Sequence, residues 1–362
     1  MDMTRYGLVG AGMMGQEHIR NIALLAETAV TAFFEPDDAM AAQAGATAPG
    51  AERCDTLDAL LARGDVDALV IASPNHCHVG QLKQIATQVT LPILCEKPLY
   101  TAPGDAAEIA ALEAYGAPIW VAMEYRYMPP IAKFRELVEE ATGGIKMLTI
   151  REHRFPFLEK VGDWNRFNRN SGGTLVEKCC HFFDLMRLIL NDEPVRVMAS
   201  AGQSVNHLNE TYEGEVPDIW DNGYVIVDFA GGARAMLELC MFAEGSEYQE
   251  EITAVGPAGK IEARVPGPTR FWNFDIGPAP MPKVIVSPRM PTTGRVVHET
   301  PVDKQLLTAG DHHGSTYYQH VQFLRVIRGQ ASPQVTLSDG AAAVRMGMAA
   351  QESARTGRAI DL

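Results

Sequence analysis

The sequence predicts an α/β chain: a doubly wound parallel sheet at the N-terminal end, then an α+β domain built on a mostly antiparallel sheet. Three observations carry this. Short apolar runs alternate with helical stretches through the first third, and a glycine-rich turn follows the first run. Beyond Pro129-Pro130 the rhythm changes to strands in succession.

The apolar runs of the first third end at Val9, Phe34, Ala72, Cys95 and Met123. They are short and continuous rather than alternating, which is how parallel strands buried on both faces read. Between them, residues 37–48, 56–62, 79–87 and 103–115 have helical patterning. Repeated β-α units joined by right-handed crossovers make a Rossmann-like domain over residues 1–125. Residues 126–362 are assigned to a second domain. It opens with a helix over 131–141, a strand over 146–153 and a polar loop to Gly173. A single helix over 174–190 follows, then strands over 195–203, 223–229, 233–240, 250–255 and 261–265. The turns Ala230-Gly231-Gly232 and Gly256-Pro257-Ala258-Gly259 are expected to supply the positive φ that hairpins need. The proline-rich stretch 266–291 is left without an element, and helices over 313–328 and 338–356 close the chain.

Composition narrows the function. Hydrophobic residues make up 46% and charged residues 21% of 362, the balance of a folded globular chain. Lys and Arg number 31 against 45 Asp and Glu, a net charge of −14 that repels phosphate backbones and anionic lipid. Nucleic acid and membrane are therefore poor partners, and a small-molecule substrate is expected. The six cysteines form no CxxC pair and read as reduced, buried thiols. With no leader pattern and no apolar run near 20 residues, the chain reads as soluble and cytoplasmic.

Candidate chemistry sits where apolar runs end. Gly10-Ala11-Gly12-Met13-Met14-Gly15 fits GxGxxG after a strand and before a helix. Gly10 permits the tight turn, Gly12 lets backbone approach a pyrophosphate, and Gly15 allows close helix–sheet packing. The helix N-terminus, beginning at Met13 and Met14, offers free N–H groups to phosphate. Glu35 stands roughly 20 residues further on, the position of a ribose-binding acid that favours NAD over NADP. Ser73 and Asn75 close the third run with His76 and His78; a histidine pair without a carboxylate cluster is weak evidence for metal, so none is expected. Glu96 and Lys97 close the fourth run, where a lysine suits stabilisation of an alkoxide or stands as a solvated charge. Arg126 closes the fifth, reaching substrate or lying on the surface. In the second domain Glu177 and His181 lie four apart with Asp184 three beyond, so one helix face carries a histidine flanked by acids. Such a histidine suits general-base work or a structural ion pair. Trp164, in the polar loop before that helix, lines a pocket or packs in the core.

These pieces together resemble the glucose–fructose oxidoreductase / inositol dehydrogenase / MocA (Gfo/Idh/MocA) family over essentially the whole chain. The matching residues are Gly10 to Gly15 with His18 after them, Ser73-Pro74-Asn75 with His78, Glu96-Lys97-Pro98-Leu99, and Gly172-Gly173 with His181-Phe182-Phe183-Asp184. The resemblance implies a Rossmann domain followed by an α+β domain whose large open sheet makes homodimers or homotetramers. It implies that Lys97 contacts both substrate and nicotinamide and that His181 is the base. The sequence departs from the family at Glu177, where Asp is usual, followed by Lys178. The expected activity is NAD-dependent oxidation of a secondary hydroxyl on a cyclic polyol or sugar. Lys97, Glu177 and His181 are the catalytic residues, and Arg126 and Trp164 join them in binding substrate. An NAD-dependent glycoside hydrolase of the same architecture and a non-catalytic dinucleotide sensor are the rival readings.

Overall fold

The apolar runs of the first third form strands and the stretches between them helices, in a computed structural model that describes residues 3–362. The order is β1 (Thr4–Val9), α1 (Met13–Ile22), β2 (Thr28–Phe34), α2 (Asp38–Thr47), β3 (Glu52–Cys54), α3 (Leu57–Leu61) and β4 (Ala68–Ile71). Then come α4 (His78–Gln88), β5 (Ile93–Glu96), α5 (Ala106–Ala111), β6 (Ile119–Ala122), α6 (Pro129–Thr142) and β7 (Met147–His153). Three helices follow, α7 (Asn168–Ser171), α8 (Thr174–Glu177) and α9 (Cys180–Leu190). A run of strands comprises β8 (Pro194–Gly202), β9 (Asn222–Phe229), β10 (Arg234–Cys240), β11 (Glu250–Val255), β12 (Gly259–Val265), β13 (Lys283–Pro288) and β14 (Val296–Glu299). The chain ends with α10 (Lys304–Ala309), α11 (Ser315–Ile327), α12 (Leu337–Thr356) and β15 (Ile360–Asp361).

The chain folds as two units. The first comprises the chain up to Glu124 together with Glu159–Cys180 and Thr316–Val344. Its six strands run in the order β3-β2-β1-β4-β5-β6, every pair parallel. All four residues of β4 are fully buried, as a central parallel strand requires. Two stretches from beyond residue 125, Glu159–Cys180 and Thr316–Val344, pack with the first unit. Phe323 of α11 packs against Tyr6 and Trp120, with ring centroids 6.4 and 6.2 Å apart. Gly340 of α12 passes so near Val121 that a Cβ would lie 2.9 Å from its methyl. These contacts join residues hundreds apart in sequence and leave no local pattern.

The second unit comprises Tyr125–Leu158, His181–Ser315 and Arg345–Leu362. Its nine strands run β14-β13-β12-β11-β7-β10-β9-β8-β15, antiparallel except for β7 with β10. Along β12, Ile261, Ala263 and Val265 are buried while Lys260, Glu262 and Arg264 face the other way. Helix α6 lies against β11, β12 and β13 and buries Ile131, Phe134 and Val138. The opposite face carries ion pairs such as Lys260–Glu262 (2.9 Å) and Arg196–Asp228 (2.5 Å), with Tyr224 and Ile226 exposed among them.

Several local expectations are corrected. Residues 174–190 form two helices, broken at Lys178-Cys179, rather than one. Residues 103–115 hold only one α-turn segment, flanked by 3-10 turns. Strand β3 is three residues long with two exposed, too short for an apolar run to mark it. The unassigned proline-rich stretch contains β13, which starts after Pro282 and ends at Pro288. Gly232 has φ +88°, as expected of a hairpin turn, but Gly256 and Gly259 are not left-handed. They are needed for close approach instead, since a Cβ would lie 2.3 Å from the Gly144 carbonyl and 2.6 Å from that of Ser287.

Candidate active site

A cavity of about 1030 Å³ opens in the first unit at the carboxyl ends of the parallel strands, the usual ligand edge of such a sheet. It is at the upper end of the range for small-molecule sites and suits an extended dinucleotide. Gly10, Gly12, Met13 and Met14 form one wall. Gly10 has φ +90°, and a Cβ there would meet the Ser73 backbone at 2.6 Å. A Cβ on Gly15 would lie 2.5 Å from the Gly10 carbonyl, so only glycine lets α1 start this close to β1. At Gly12 a Cβ would meet nothing within 4 Å. That open approach to the first N–H groups of α1 is where a pyrophosphate fits.

Glu35, at the end of β2, also lines the cavity and is buried. Its Oε2 accepts from the Ala11 N–H at 2.7 Å, and its Oε1 accepts from the Asp37 N–H at 2.9 Å. Two backbone donors thus fix the carboxylate between the glycine turn and the start of α2. Each oxygen keeps lone-pair capacity for a ribose hydroxyl.

Ser73 and Asn75 continue the lining. The Asn75 side-chain amide donates to the Ser171 carbonyl at 3.3 Å. His78 is fully buried at the start of α4, its ring nitrogens 2.9 and 3.1 Å from the Pro98 and Ser73 carbonyls. His76 sits edge-on to Trp164, with ring centroids 6.3 Å apart. Among the described residues, no group of three or more His, Cys, Asp or Glu side chains stands together as a metal site.

Glu96 and Lys97 close the cavity floor. The Lys97 Nζ donates to the Glu177 carbonyl at 3.2 Å, at the point where α8 ends. Burial disfavours the ammonium, but Cys180, Glu177, Glu96 and Glu124 outweigh burial and hold Lys97 above the ordinary lysine range. The ammonium form of Lys97 is therefore favoured. Burial likewise opposes the Glu96 charge, yet His18 and Lys97 bring this carboxyl below its usual range. Its Oε2 accepts from the Lys97 N–H at 3.2 Å, and its Oε1 lies 2.9 Å from His18 Nε2. His18 Nδ1 in turn lies 2.8 Å from His320 Nε2 on α11. Burial keeps His320 neutral, well below the ordinary histidine range. His320 had no signal in the sequence, because only the fold brings α11 to His18 of α1. The Glu159-to-Trp164 loop supplies the remaining wall, turned by left-handed Gly162 and Asp163, and Glu177 joins it.

In the second unit, His181 of α9 is buried with its ring stacked on Tyr125, centroids 4.1 Å apart and planes 4° from parallel. Arg126 is neither on the surface nor unoccupied: its Nε donates to Asp184 Oδ2 at 2.5 Å, and a terminal N–H donates to Oδ1. Both oxygens of Asp184 thus receive Arg126. Sequence reasoning did not single out Tyr125, although it stands in the Glu124-Tyr125-Arg126-Tyr127 turn.

A family model described as "Oxidoreductase family, NAD-binding Rossmann fold" matches residues 4–122, and "Oxidoreductase family, C-terminal alpha/beta domain" matches 135–362. The rhizopine catabolism protein MocA of Rhizobium meliloti is 25% identical over 355 residues, 97% of this chain and 95% of that protein. An inositol 2-dehydrogenase of Rhizobium meliloti (strain 1021) is 30% identical over 264 residues, 72% of this chain and 75% of the relative. Two solved structures are similar in fold. A levoglucosan dehydrogenase in complex with NADH and levoglucosan has a TM-score of 0.80 at 21% identity, with 99% of each chain covered. A putative myo-inositol dehydrogenase from Sinorhizobium meliloti 1021 has a TM-score of 0.78 at 24% identity, again with 99% of each covered.

Proposed function

Because the chain belongs to the Gfo/Idh/MocA family of oxidoreductases, we propose that it is an NAD-dependent dehydrogenase oxidising a secondary hydroxyl of a cyclic polyol or sugar. The observation that carries this reading is Lys97: an amine held above the ordinary lysine range by Cys180, Glu177, Glu96 and Glu124, lining the same cavity as the glycine turn and Glu35. The relatives named for inositol and levoglucosan support a hydroxyl-rich ring as substrate.

Glu35 accepts the adenosine ribose hydroxyls, the glycine turn and the start of α1 receive the pyrophosphate, and Ser73 and Asn75 line the path toward Lys97. When bound, NAD supplies the hydride acceptor. His181 takes the hydroxyl proton, and Lys97 donates a hydrogen bond to the developing alkoxide. Glu177 holds a neighbouring hydroxyl, and its backbone carbonyl fixes the Lys97 ammonium. Trp164 shields the cavity from water beside the loop. Arg126, already engaged by Asp184, leaves the substrate-binding set.

The protein is further assigned to homodimers or homotetramers in the cytoplasm. On the outward face of the nine-stranded sheet, Ile226 pairs in register with Met198 and Met236 beside exposed Tyr224, an apolar stripe suited to a second copy. No helix among the described residues is long and apolar enough to cross a membrane, and all six cysteines are free thiols. The deciding experiment screens inositols and monosaccharides for NAD reduction by NADH absorbance. Failure with every polyol while NAD binds tightly would favour a sensor, and glycoside cleavage without net NADH would favour the hydrolase.

A further inference from the structure

We propose that Tyr125 is the positioning residue for the base, acting as half of a two-point clamp in which Tyr125 and Arg126 hold His181 and Asp184. The proposal rests on the reading of His181 as base. Tyr125 and Arg126 are consecutive in the 3-10 turn Glu124–Tyr127 that follows β6. His181 and Asp184 are three apart on α9, so they present on one side of the helix.

The two contacts restrain different motions. The Arg126 guanidinium and the Asp184 carboxylate meet through two roughly parallel hydrogen bonds, a geometry with directional specificity. Both are buried, at 7% and 0% exposure, so water does not compete. This pair fixes the roll of α9. It does not act on the imidazole's own side-chain torsions. The Tyr125 ring restrains those torsions, because a plane 4° from parallel at 4.1 Å loses its overlap when the imidazole rotates. Tyr125 is itself held from two further directions. Phe182 meets it edge-on at 5.8 Å, and His312, from the loop before α11, lies at 5.8 Å and 47°. The His312 loop is anchored in turn, since Asp311 receives Arg270 at 2.6–3.0 Å and His313 Nε2 lies 2.6 Å from the Pro266 carbonyl.

Proton transfer requires one imidazole nitrogen to face the hydroxyl, and a misplacement of about 1 Å costs about 10²-fold in rate. The ring stack supplies the orientation. The phenol hydroxyl is not needed for it.

Two measurements test the clamp. The first needs no variant of Tyr125 and no substrate: NMR of the imidazole ring protons, with His181 assigned by comparison with His181→Asn. The stack predicts a strong upfield ring-current shift of the His181 protons in the wild type. A His181 signal at its ordinary position overturns the proposal. The second compares Tyr125→Phe with Tyr125→Leu. Tyr125→Phe should keep the shift and near-wild-type kcat. Tyr125→Leu should lose the shift and about 10²-fold in kcat. Its NAD affinity should stay unchanged, and the primary deuterium isotope effect on kcat should rise as the chemical step becomes limiting. A folded Tyr125→Leu with wild-type kcat, or a Tyr125→Phe as impaired as Leu, overturns the proposal. The two readings fail separately: an upfield His181 in a protein that oxidises no polyol defeats the dehydrogenase reading. An unshifted His181 in an active enzyme defeats the clamp alone.

Discussion

Replacing Glu35 by glutamine removes one proton-binding charge and almost no volume, yet the structure makes it a severe change. Both carboxylate oxygens of Glu35 accept backbone N–H groups, from Ala11 and from Asp37. A glutamine offers one oxygen and one NH₂, so its amide must face a backbone donor with a donor. That leaves a largely buried N–H unsatisfied, at a cost of about 1–3 kcal/mol to the local fold. The ribose loses a charge-assisted acceptor as well, worth about 1.5–3 kcal/mol, or about 10- to 150-fold in NAD affinity. Selectivity should fall too. A charge of −1 facing a 2′-phosphate of about −2 at about 5 Å repels it by about 2 kcal/mol in water, and by about 7 at an effective dielectric of about 20. Even the lower figure biases the site more than about tenfold toward NAD. The assay is titration of wild type and Glu35→Gln with NAD and NADP, read by calorimetry, with urea melts for the fold. Unchanged NAD affinity in Glu35→Gln, or a wild type that prefers NADP, would refute the argument.

Other expected outcomes are as definite. His181→Asn should lower kcat by about 10²–10⁴-fold with NAD affinity intact, since the dinucleotide is held by other residues; equal turnover would remove it from the mechanism. Lys97→Met should cost about 10²–10³-fold in kcat and also raise the substrate KM, which steady-state kinetics with saturating NAD will separate. Arg126→Ala removes both hydrogen bonds that Arg126 gives the fully buried Asp184 carboxylate and should lower stability by up to about 3–5 kcal/mol in urea melts, with Arg126→Lys a poor rescue because it cannot form the paired bonds. Acid should weaken the fold in two windows. Burial lowers His320, His78 and His313 below the ordinary histidine range, so stability should fall as pH drops below about 6.5, by up to about 1.4 kcal/mol per pH unit for each. The lowered carboxyl of Glu96 adds a second loss below about pH 4.3, its unfolded value, as pH drops toward its folded one. His320→Asn should make the first window shallower, and an unaltered slope would count against a neutral His320.

What could be read in advance follows from how far apart the interacting residues lie along the chain. The glycine turn was legible because its three requirements fall within six consecutive residues: a left-handed φ at Gly10, open space at Gly12 and no room for a Cβ at Gly15. Glu35 was legible because one β-α-β unit has a nearly fixed length. Lys97 was singled out by its place after an apolar run, but its charge state was not readable: Glu124 and Glu177 reach it from other segments. The break at Lys178-Cys179 was hidden for a different reason, since the spacing of Glu177, His181 and Asp184 alone fits one continuous helix. Arg126 shows most clearly what spacing omits. A positive residue at the end of a strand reads as a ligand for substrate, and only the fold reveals that Asp184 already occupies it. The same contact gives the residue beside it a task, because a turn that grips α9 through Arg126 also fixes where the Tyr125 ring must lie. Arg126, which spacing alone reads as a substrate contact, thus stands beside the ring that stacks on His181.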